Sequence, residues 1–255
     1  MENRNLYIVP AIVIGLCLIM ATVVGAVSFY KIKSLSNVLS VTGSADKTIT
    51  SDTVKWTSVV SRSVDSYGLK EGSTQIKNDL AVVKDYFKRS GIKDSEITVN
   101  PVTMNTICEN RDSVVWDKYG NQTCGSSGIS GYSLQQTIVV DSDKVSEITA
   151  LSQAASDYFI GQGLIFNTQS LEYYYSKLAD LRLDLLGEAT KNAKSRADVI
   201  AKSTGKNIGS LQSATMGVFQ VTAKNSVEVS DYGIYDTSSI EKKVTAVVRA
   251  SFTLK

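Results

Sequence analysis

The sequence predicts an α+β protein in which a transmembrane helix precedes a mainly antiparallel sheet with helices packed on one face. Three observations predict this fold class. An apolar segment without charge lies near the N-terminus, nearly every later strand alternates apolar and polar residues, and these strands are interleaved with amphipathic helices in the order β-α-β-β-α-β. Alternating strands have one wet side, so they favour antiparallel sheets covered by helices on the other side.

The N-terminal apolar segment, from Leu6 to Tyr30, contains no charged residue. As a helix it rises about 37 Å, enough to cross a bilayer core of about 30 Å with some tilt. The chain is then expected to divide into four parts: a tail at 1–5, a membrane anchor at 6–30, a tether at 31–39 and one extracytoplasmic domain at 40–255.

Two other interpretations of the apolar segment remain open. A cleaved signal peptide has an apolar core of roughly 7–15 residues, and the small-residue exit Val24-Gly25-Ala26 is poor. A pilin-like stem is the other interpretation and would make the chain a filament subunit. The processing site of pilins includes a glutamate, and this segment has none. An uncleaved anchor is therefore favoured. The flanking charges leave its orientation open, because Lys31 and Lys33 outnumber Arg4.

Two of the three cysteines lie in a polar, turn-rich segment typical of a long loop, residues 105–130. A disulfide between Cys108 and Cys124 would remove about 3 kcal/mol of loop entropy from the unfolded chain. Two free thiols are an alternative, and a zinc site would need two further ligands. The disulfide is favoured and predicts an oxidising compartment outside the cytosol. Cys17 is expected to pack against lipid or a helix, and Asn121 begins a glycosylation sequon.

Composition excludes several classes of function. The chain has no histidine, which excludes Ser-His-Asp and Cys-His catalysis, histidine general bases and the commonest zinc sites. The net charge is +2 and no basic run is longer than Lys242-Lys243, which argues against nucleic-acid binding. We expect no cofactor and no metal.

The first half of the domain shows clear periodicity. A strand is predicted over Thr53–Val64, with Val54, Trp56, Val60 and Val64 on one face. The helical stripe that follows ends at Gly91 and consists of Ile76, Leu80, Val83 and Phe87. In the next strand, Ile97–Thr106, the apolar residues move from odd to even positions around Pro101. This shift predicts a bulge or an edge position.

The second half continues the alternation of strands and helices. Four further strands are predicted, at 132–140, 164–171, 216–221 and 243–255. A second helix follows the start signal Asp141-Ser142-Asp143, with a stripe of Val145, Ile148, Leu151 and Ala155. A long third helix ends at Gly205 and buries Leu178, Leu181, Leu185, Ala189, Ala193, Ala197 and Ile200. Because its second half buries alanines, another backbone must approach it closely there.

Four segments resemble the SIMPL-domain family, whose bacterial members are mostly secreted or periplasmic. They are the opening glycine strand Val41-Thr42-Gly43-Ser44-Ala45 with the turn Ser51-Asp52, the strand at 131–140, the alanine-spaced helix at 189–201 with its exit at 205–209, and the strand Val244–Leu254. Ser51 stands where the family usually has proline, and the cysteine loop resembles an insertion.

This resemblance implies an α+β domain, self-assembly into rings, and links to envelope integrity or stress defence. It implies no established catalytic centre, so no functional residues are carried over. The face formed by Ala189, Ala193 and Ala197 is a candidate for close helix packing, within the subunit or between subunits.

Candidate sites for chemistry are few. The glycine-containing segment at 205–209 does not end in the Gly-Lys-Ser/Thr sequence of a phosphate loop, and it follows a helix. A helix C-cap and turn is therefore favoured for Gly205-Lys206-Asn207-Ile208-Gly209. The basic residues Lys191, Lys194, Arg196 and Lys202 could bind an anionic surface, but solvation of the helix is favoured. Packing is also favoured over ligand stacking for Tyr173-Tyr174-Tyr175 with Tyr158 and Phe159.

The sequence therefore predicts a non-enzymatic, single-pass membrane protein whose extracytoplasmic domain acts through homo-oligomeric assembly or through an envelope protein partner. A pilin-like filament subunit and a histidine-free hydrolase of the Ser-Lys type are the alternatives.

Overall fold

The computed structural model describes residues 5–34, 37–120 and 122–255. Helix α1, Asn5–Ser34, contains a span at Ile12–Phe29 with a mean hydropathy of 2.6, long and apolar enough to cross a membrane. The span is not buried against the rest of the chain. A signal sequence and a membrane anchor both fit this helix. It reaches further than the expected anchor at 6–30, and strand β1 begins at Val38, so the tether is shorter than the expected 31–39.

The described residues after α1 form two five-stranded sheets and a two-stranded ribbon. In chain order, the strands are β1 Val38–Thr50, β2 Thr53–Asp65, β3 Ile97–Val99, β4 Thr103–Cys108, β5 Val115–Trp116, β6 Gln122–Thr123, β7 Ile129–Ser142, β8 Ile165–Tyr174, β9 Ile208–Met216, β10 Gln220–Ala223, β11 Ile234–Tyr235 and β12 Glu241–Leu254. The helices after α1 are α2 Leu69–Arg89, α3 Val145–Gly161 and α4 Leu178–Ser203.

The first sheet, called sheet B, has the predicted β-α-β-β-α-β order of a split ferredoxin-like unit. Its strands lie in the order β3-β7-β2-β8, with β4 continuing β3 along β7, and all these pairs are antiparallel. The change of phase around Pro101 is explained by a bulge: Val99 pairs with Ile138, but Thr103 pairs with Gln135, so the β3–β4 side has one extra residue.

Helices α2 and α3 close the core of sheet B around a cluster of aromatic rings. Trp56 and Phe87 are fully buried with their ring centroids 5.0 Å apart, and Phe166 lies 5.9 Å from Trp56. The indole Nε1 of Trp56 donates to Thr168 Oγ1 at 3.1 Å, so the polar end of this ring is satisfied. The predicted stripe of α2 faces this cluster.

The second sheet, called sheet A, is built around β12, the predicted C-terminal strand. β1 pairs with β12 on one side, while β9 and β10 pair with successive parts of its other side, and β11 pairs in parallel with β10. The buried residues of β12 alternate as predicted and comprise Val244, Ala246, Val248, Ala250 and Phe252. Helix α4 covers this face.

The alanines of α4 admit β1 at very short range. Ala189, Ala193 and Ala197 are fully buried, and Gly43 of β1 lies against their backbone. A Cβ at Gly43 would clash with the Ala189 carbonyl oxygen and would lie only 2.7 Å from the Ala193 Cα. The candidate packing face is therefore filled by a strand of the same chain.

Two sequence expectations for sheet A were wrong in detail. Ile200 is 45% exposed, and Ala201 takes the buried position one residue later, because the stripe keeps its four-residue steps. The strand expected at 216–221 is instead interrupted between β9 and β10. The Gly217 amide still bonds Val247 O at 2.9 Å in the register of β9, but the next pair, Gln220 with Thr245, leaves one extra residue on the β9–β10 side.

The two sheets have separate cores that meet only near the end of β1, among the described elements. The buried Ser51 donates its amide to Ile240 O at 2.9 Å. Asp52 accepts the Ser176 amide and hydroxyl, each at 2.7 Å, just before α4. Ile240, which precedes β12 of sheet A, packs on the core of sheet B. These contacts form the junction between the sheets.

Replacement of Gly43 by alanine should destabilise the domain. The added Cβ overlaps the α4 backbone, and overpacking of this kind costs about 1–3 kcal/mol or more. Gly187→Ala is the matched control, since no atom lies within 4 Å of its Cβ position and alanine is the better helix former by up to about 1 kcal/mol. Urea unfolding of both variants measures the effect. Equal stability of the Gly43→Ala protein and the wild type would contradict the close approach.

The Asp52 carboxylate should make the stability of the protein depend on pH in the acid range. Burial alone raises its pKa, but the hydrogen bonds from Ser176 and Thr53 outweigh this effect and lower the pKa below its usual value of 3.8. The stability it contributes is therefore complete above about pH 4 and is lost as the pH falls through the lower folded pKa.

We expect Asp52→Asn to lower the free energy of unfolding by about 1–2 kcal/mol at neutral pH and to flatten its fall in acid. The measurement is urea unfolding across the acid range. Asp157→Asn removes an exposed carboxylate from α3 and is the control. Parallel pH curves for wild type and Asp52→Asn would refute this role.

Candidate interaction surfaces

The cysteine loop is closed by a disulfide between Cys108 and Cys124, whose Cα atoms are 5.3 Å apart. Because β4 extends to Cys108 and β7 begins at Ile129, the loop is shorter than the expected 105–130. Within it, β5 and β6 form a small ribbon. Asn121, the residue expected to accept a glycan, lies outside the described residues. Cys17 is an exposed free cysteine on α1.

The tip of this loop presents large aromatic side chains to solvent. Trp116 is 64% exposed and Tyr119 is 77% exposed, with the Lys118 ammonium 4.9 Å from the Tyr119 ring centroid. The loop lies at the end of sheet B away from the junction, because Asp65 pairs with Gly131 there while Val54 pairs with Ser142 near the junction. A strand of this length spans about 40 Å. The aromatic tip is thus far from both the junction and sheet A.

Two side chains of α4 bond the outer edge of β1. Arg196 donates to Thr42 O at 3.0 Å, and the Ser44 amide donates to Asn192 Oδ1 at 3.2 Å. An open strand edge is a template for pairing with another chain, and these bonds occupy the middle of that edge. From the sequence, Arg196 was expected to bind an anionic surface or, as favoured, to solvate the helix, and Asn192 was missed. The available signal was their four-residue spacing beside the alanine stripe, on the side of α4 that faces β1.

The opposite side of sheet A is more open. β9 contains no charged residue and no proline, and Ser210–Met216 is exposed throughout. Next to it, a recess of about 490 Å³ lies between the uncovered sheet face and the segment after β10. Three valines that line this recess are exposed, Val218 at 43%, Val227 at 92% and Val229 at 81%, beside the charged side chains of Asp46, Glu228, Asp231 and Lys243. Exposed apolar side chains with a polar rim are typical of interaction sites.

The buried lysine of the domain has a structural partner. Lys242 donates to Asp236 O at 2.7 Å, and its Nζ lies 3.8 Å from the Asp236 carboxylate. Burial lowers the pKa of the Lys242 ammonium, and the charge of Asp236 opposes this shift. Among the described residues, no lysine Nζ donates a hydrogen bond to a serine hydroxyl.

The other candidate sites serve packing. Tyr173 is buried in the core of sheet B, Tyr175 packs on the core of sheet A, and the Tyr174 hydroxyl donates to Glu172 at 2.8 Å, which raises the pKa of Tyr174 to about 12. Gly205 has a φ of +73° and ends α4, with the Lys206 amide bonding Ala201 O. Within the described ranges, no group of three or more acidic or cysteine side chains could hold a metal ion.

Comparison with known protein families gives one match over most of the chain. The model of the family SIMPL, described as "Protein of unknown function (DUF541)", matches residues 39–252. The match begins with β1 and ends within β12, so it contains both sheets and the cysteine loop. A comparison with curated proteins finds no match.

The disulfide predicts a definite pattern of alkylation. Under denaturing conditions without reductant, the protein should take up one alkyl group, at Cys17, and after reduction it should take up three. Intact-mass spectrometry of the protein purified from its natural compartment measures the uptake. Cys17→Ser is the control and should take up no alkyl group before reduction. Three groups taken up without reductant would contradict the disulfide and the oxidising compartment.

Proposed function

Because the chain belongs to the SIMPL family, we propose that it is a non-enzymatic domain, anchored by α1 in the cell membrane, that acts by homo-oligomeric assembly in the envelope. SIMPL proteins are extracytoplasmic and are not known as enzymes. The disulfide supports this location, since such bonds persist in oxidising compartments. The absence of histidine supports a role without catalysis. Envelope integrity or stress defence is the process we assign to it.

An uncleaved anchor is supported by the length of α1. Its apolar span at Ile12–Phe29 is followed by helix as far as Ser34, whereas the apolar core of a signal peptide is roughly 7–15 residues long. A single helix of this kind would hold the domain at the membrane surface, where the local concentration of other copies is high.

The exposed apolar surface beside β9 is the observation that carries the assembly proposal. Val218, Val227 and Val229 line a recess on the face of sheet A that no helix covers among the described residues. Burial of such side chains at about 25 cal/mol per Å² is the usual driving force of subunit association. The edge of β1 is unsuited to this role because Asn192 and Arg196 occupy it.

A second surface suits an envelope protein partner. Trp116 and Tyr119 stand exposed on a ribbon that the Cys108–Cys124 disulfide closes. Aromatic residues held on a rigid support are the usual anchors of protein interfaces, because they bury a large area and lose little conformational freedom. This tip lies far from sheet A, so partner binding there is compatible with assembly through the other surface.

Assembly is tested by the mass of the full-length protein in detergent, measured by size-exclusion chromatography with light scattering. We expect a multi-subunit particle for the wild type. Val227→Lys with Val229→Lys would place charges in the interface and should weaken association about a thousandfold, because central contacts contribute about 2 kcal/mol each.

The matched control is Leu183→Lys with Val199→Lys, which changes two exposed apolar residues on the outer face of α4. It should leave the mass of the particle unchanged. If the wild type is a strict monomer at micromolar concentration, the assembly proposal is refuted. Removal of residues 1–36 should leave the particle intact, since the apolar span is not buried against the domain, whereas a pilin-like filament would be lost.

A further inference from the structure

Three segments meet at the end of sheet A where β1 begins. The Leu254 amide donates to Asn37 O at 2.9 Å, and Asn207 and Lys255 exchange backbone hydrogen bonds of 3.1 and 2.8 Å. The start of β1, the turn after α4 and the end of β12 therefore form one unit. This unit, residues 37–38, 202–208 and 254–255, is called the basal end.

The basal end must lie close to the membrane if α1 is the anchor of the proposed function. Ser34 ends the helix and Asn37 begins the basal end, so the chain between them spans at most about 11 Å. Between Phe29, the last residue of the apolar span, and Ser34 the helix rises about 7 Å, which matches the headgroup layer. The basal end is therefore held within about a nanometre of the lipid phosphates.

The charge of this region is one-sided. No aspartate or glutamate occurs in 37–45, 199–216 or 247–255, although the chain after Lys33 has 24 basic and 24 acidic side chains in all. The basal end carries Lys202, Lys206 and Lys255, and all three are exposed. Lys202 pairs with Asp198 at 2.6 Å, whereas Lys206 and Lys255 make no ion pair among the described residues.

Lys206 is exposed at a position after α4 where the equivalent residues after α2 and α3 are buried. Helices α2, α3 and α4 end in the same motif, in which the amide three residues past the last helical residue bonds back to a carbonyl of the last turn. At this position α2 has Ile92 and α3 has Leu164, both buried. In α4 it is the exposed Lys206, which buries nothing within the described structure. The end of α4 is thus turned outward, away from the core.

We propose that the basal end binds anionic phospholipid headgroups of the membrane that holds α1, through Lys206 and Lys255, the two of its lysines without an ion pair among the described residues. This proposal rests on the anchored state of the proposed function. Lysine attracts phosphate as a compact positive charge, and the attraction to an anionic leaflet is strong within a screening length of about 8 Å. The contact holds sheet A against the bilayer and directs the junction and the aromatic tip away from it.

The test uses the full-length protein in nanodiscs of phosphatidylcholine alone or of an equal mixture with phosphatidylglycerol. Hydrogen exchange of backbone amides in 203–209 and 253–255 is measured by mass spectrometry. We expect slower exchange in the anionic nanodiscs, by up to about fivefold for each lysine that contributes. The difference should vanish in 1 M salt, where the screening length is about 3 Å.

The variant Lys206→Gln/Lys255→Gln should abolish the dependence on lipid. The control Lys70→Gln/Lys77→Gln removes the same charge from the exposed side of α2 and should retain it. Equal exchange in both nanodiscs, or equal loss of the lipid effect in both variants, would overturn the lipid contact alone. An intact mass that lacks residues 6–30 would overturn the anchor and this proposal with it.

Discussion

The close approach of Gly43 to the alanine face of α4 is the contact on which sheet A depends. α4 can lie flat on β1 and β12 only because Ala189, Ala193 and Ala197 keep its axis near the sheet and Gly43 has no side chain. The same closeness brings Asn192 and Arg196 within reach of the β1 edge. One packing constraint therefore determines both the core of sheet A and which of its borders stays open to other molecules.

Most elements of the fold could be predicted from the sequence because their periodicity is strong. The alternation in β2, β7 and β12 and the stripes of α2 and α4 identified each element and its buried face. The division into two sheets could not be predicted, since periodicity determines which face is buried but not which strand lies beside it. The break after Gly217 was missed for a related reason. Apolar residues continue through it, and only the change of register between the pairs Met216–Val248 and Gln220–Thr245 shows it.

The candidate surfaces were predictable only where a covalent or compositional signal exists. The spacing of Cys108 and Cys124 indicated the disulfide, and the alanine stripe indicated a close contact. Exposed valines such as Val227 and Val229 could not be recognised, because a short apolar run has the same pattern in a buried strand as in an open loop. The basal end was equally hidden, since its lysines come from two segments that are about 50 residues apart in the sequence and meet only through β12.

The junction decides how the basal end and the aromatic tip are positioned relative to each other. The sheets have separate cores, so their relative position depends on Ser51, Asp52 and Ile240. Ser51 supplies an amide that bonds Ile240 O, a bond that proline could not make at this position. This bond fixes Ile240 while its side chain packs in the other sheet. Because the junction fixes sheet A relative to sheet B, the orientation of the basal end also determines the orientation of the loop that bears Trp116.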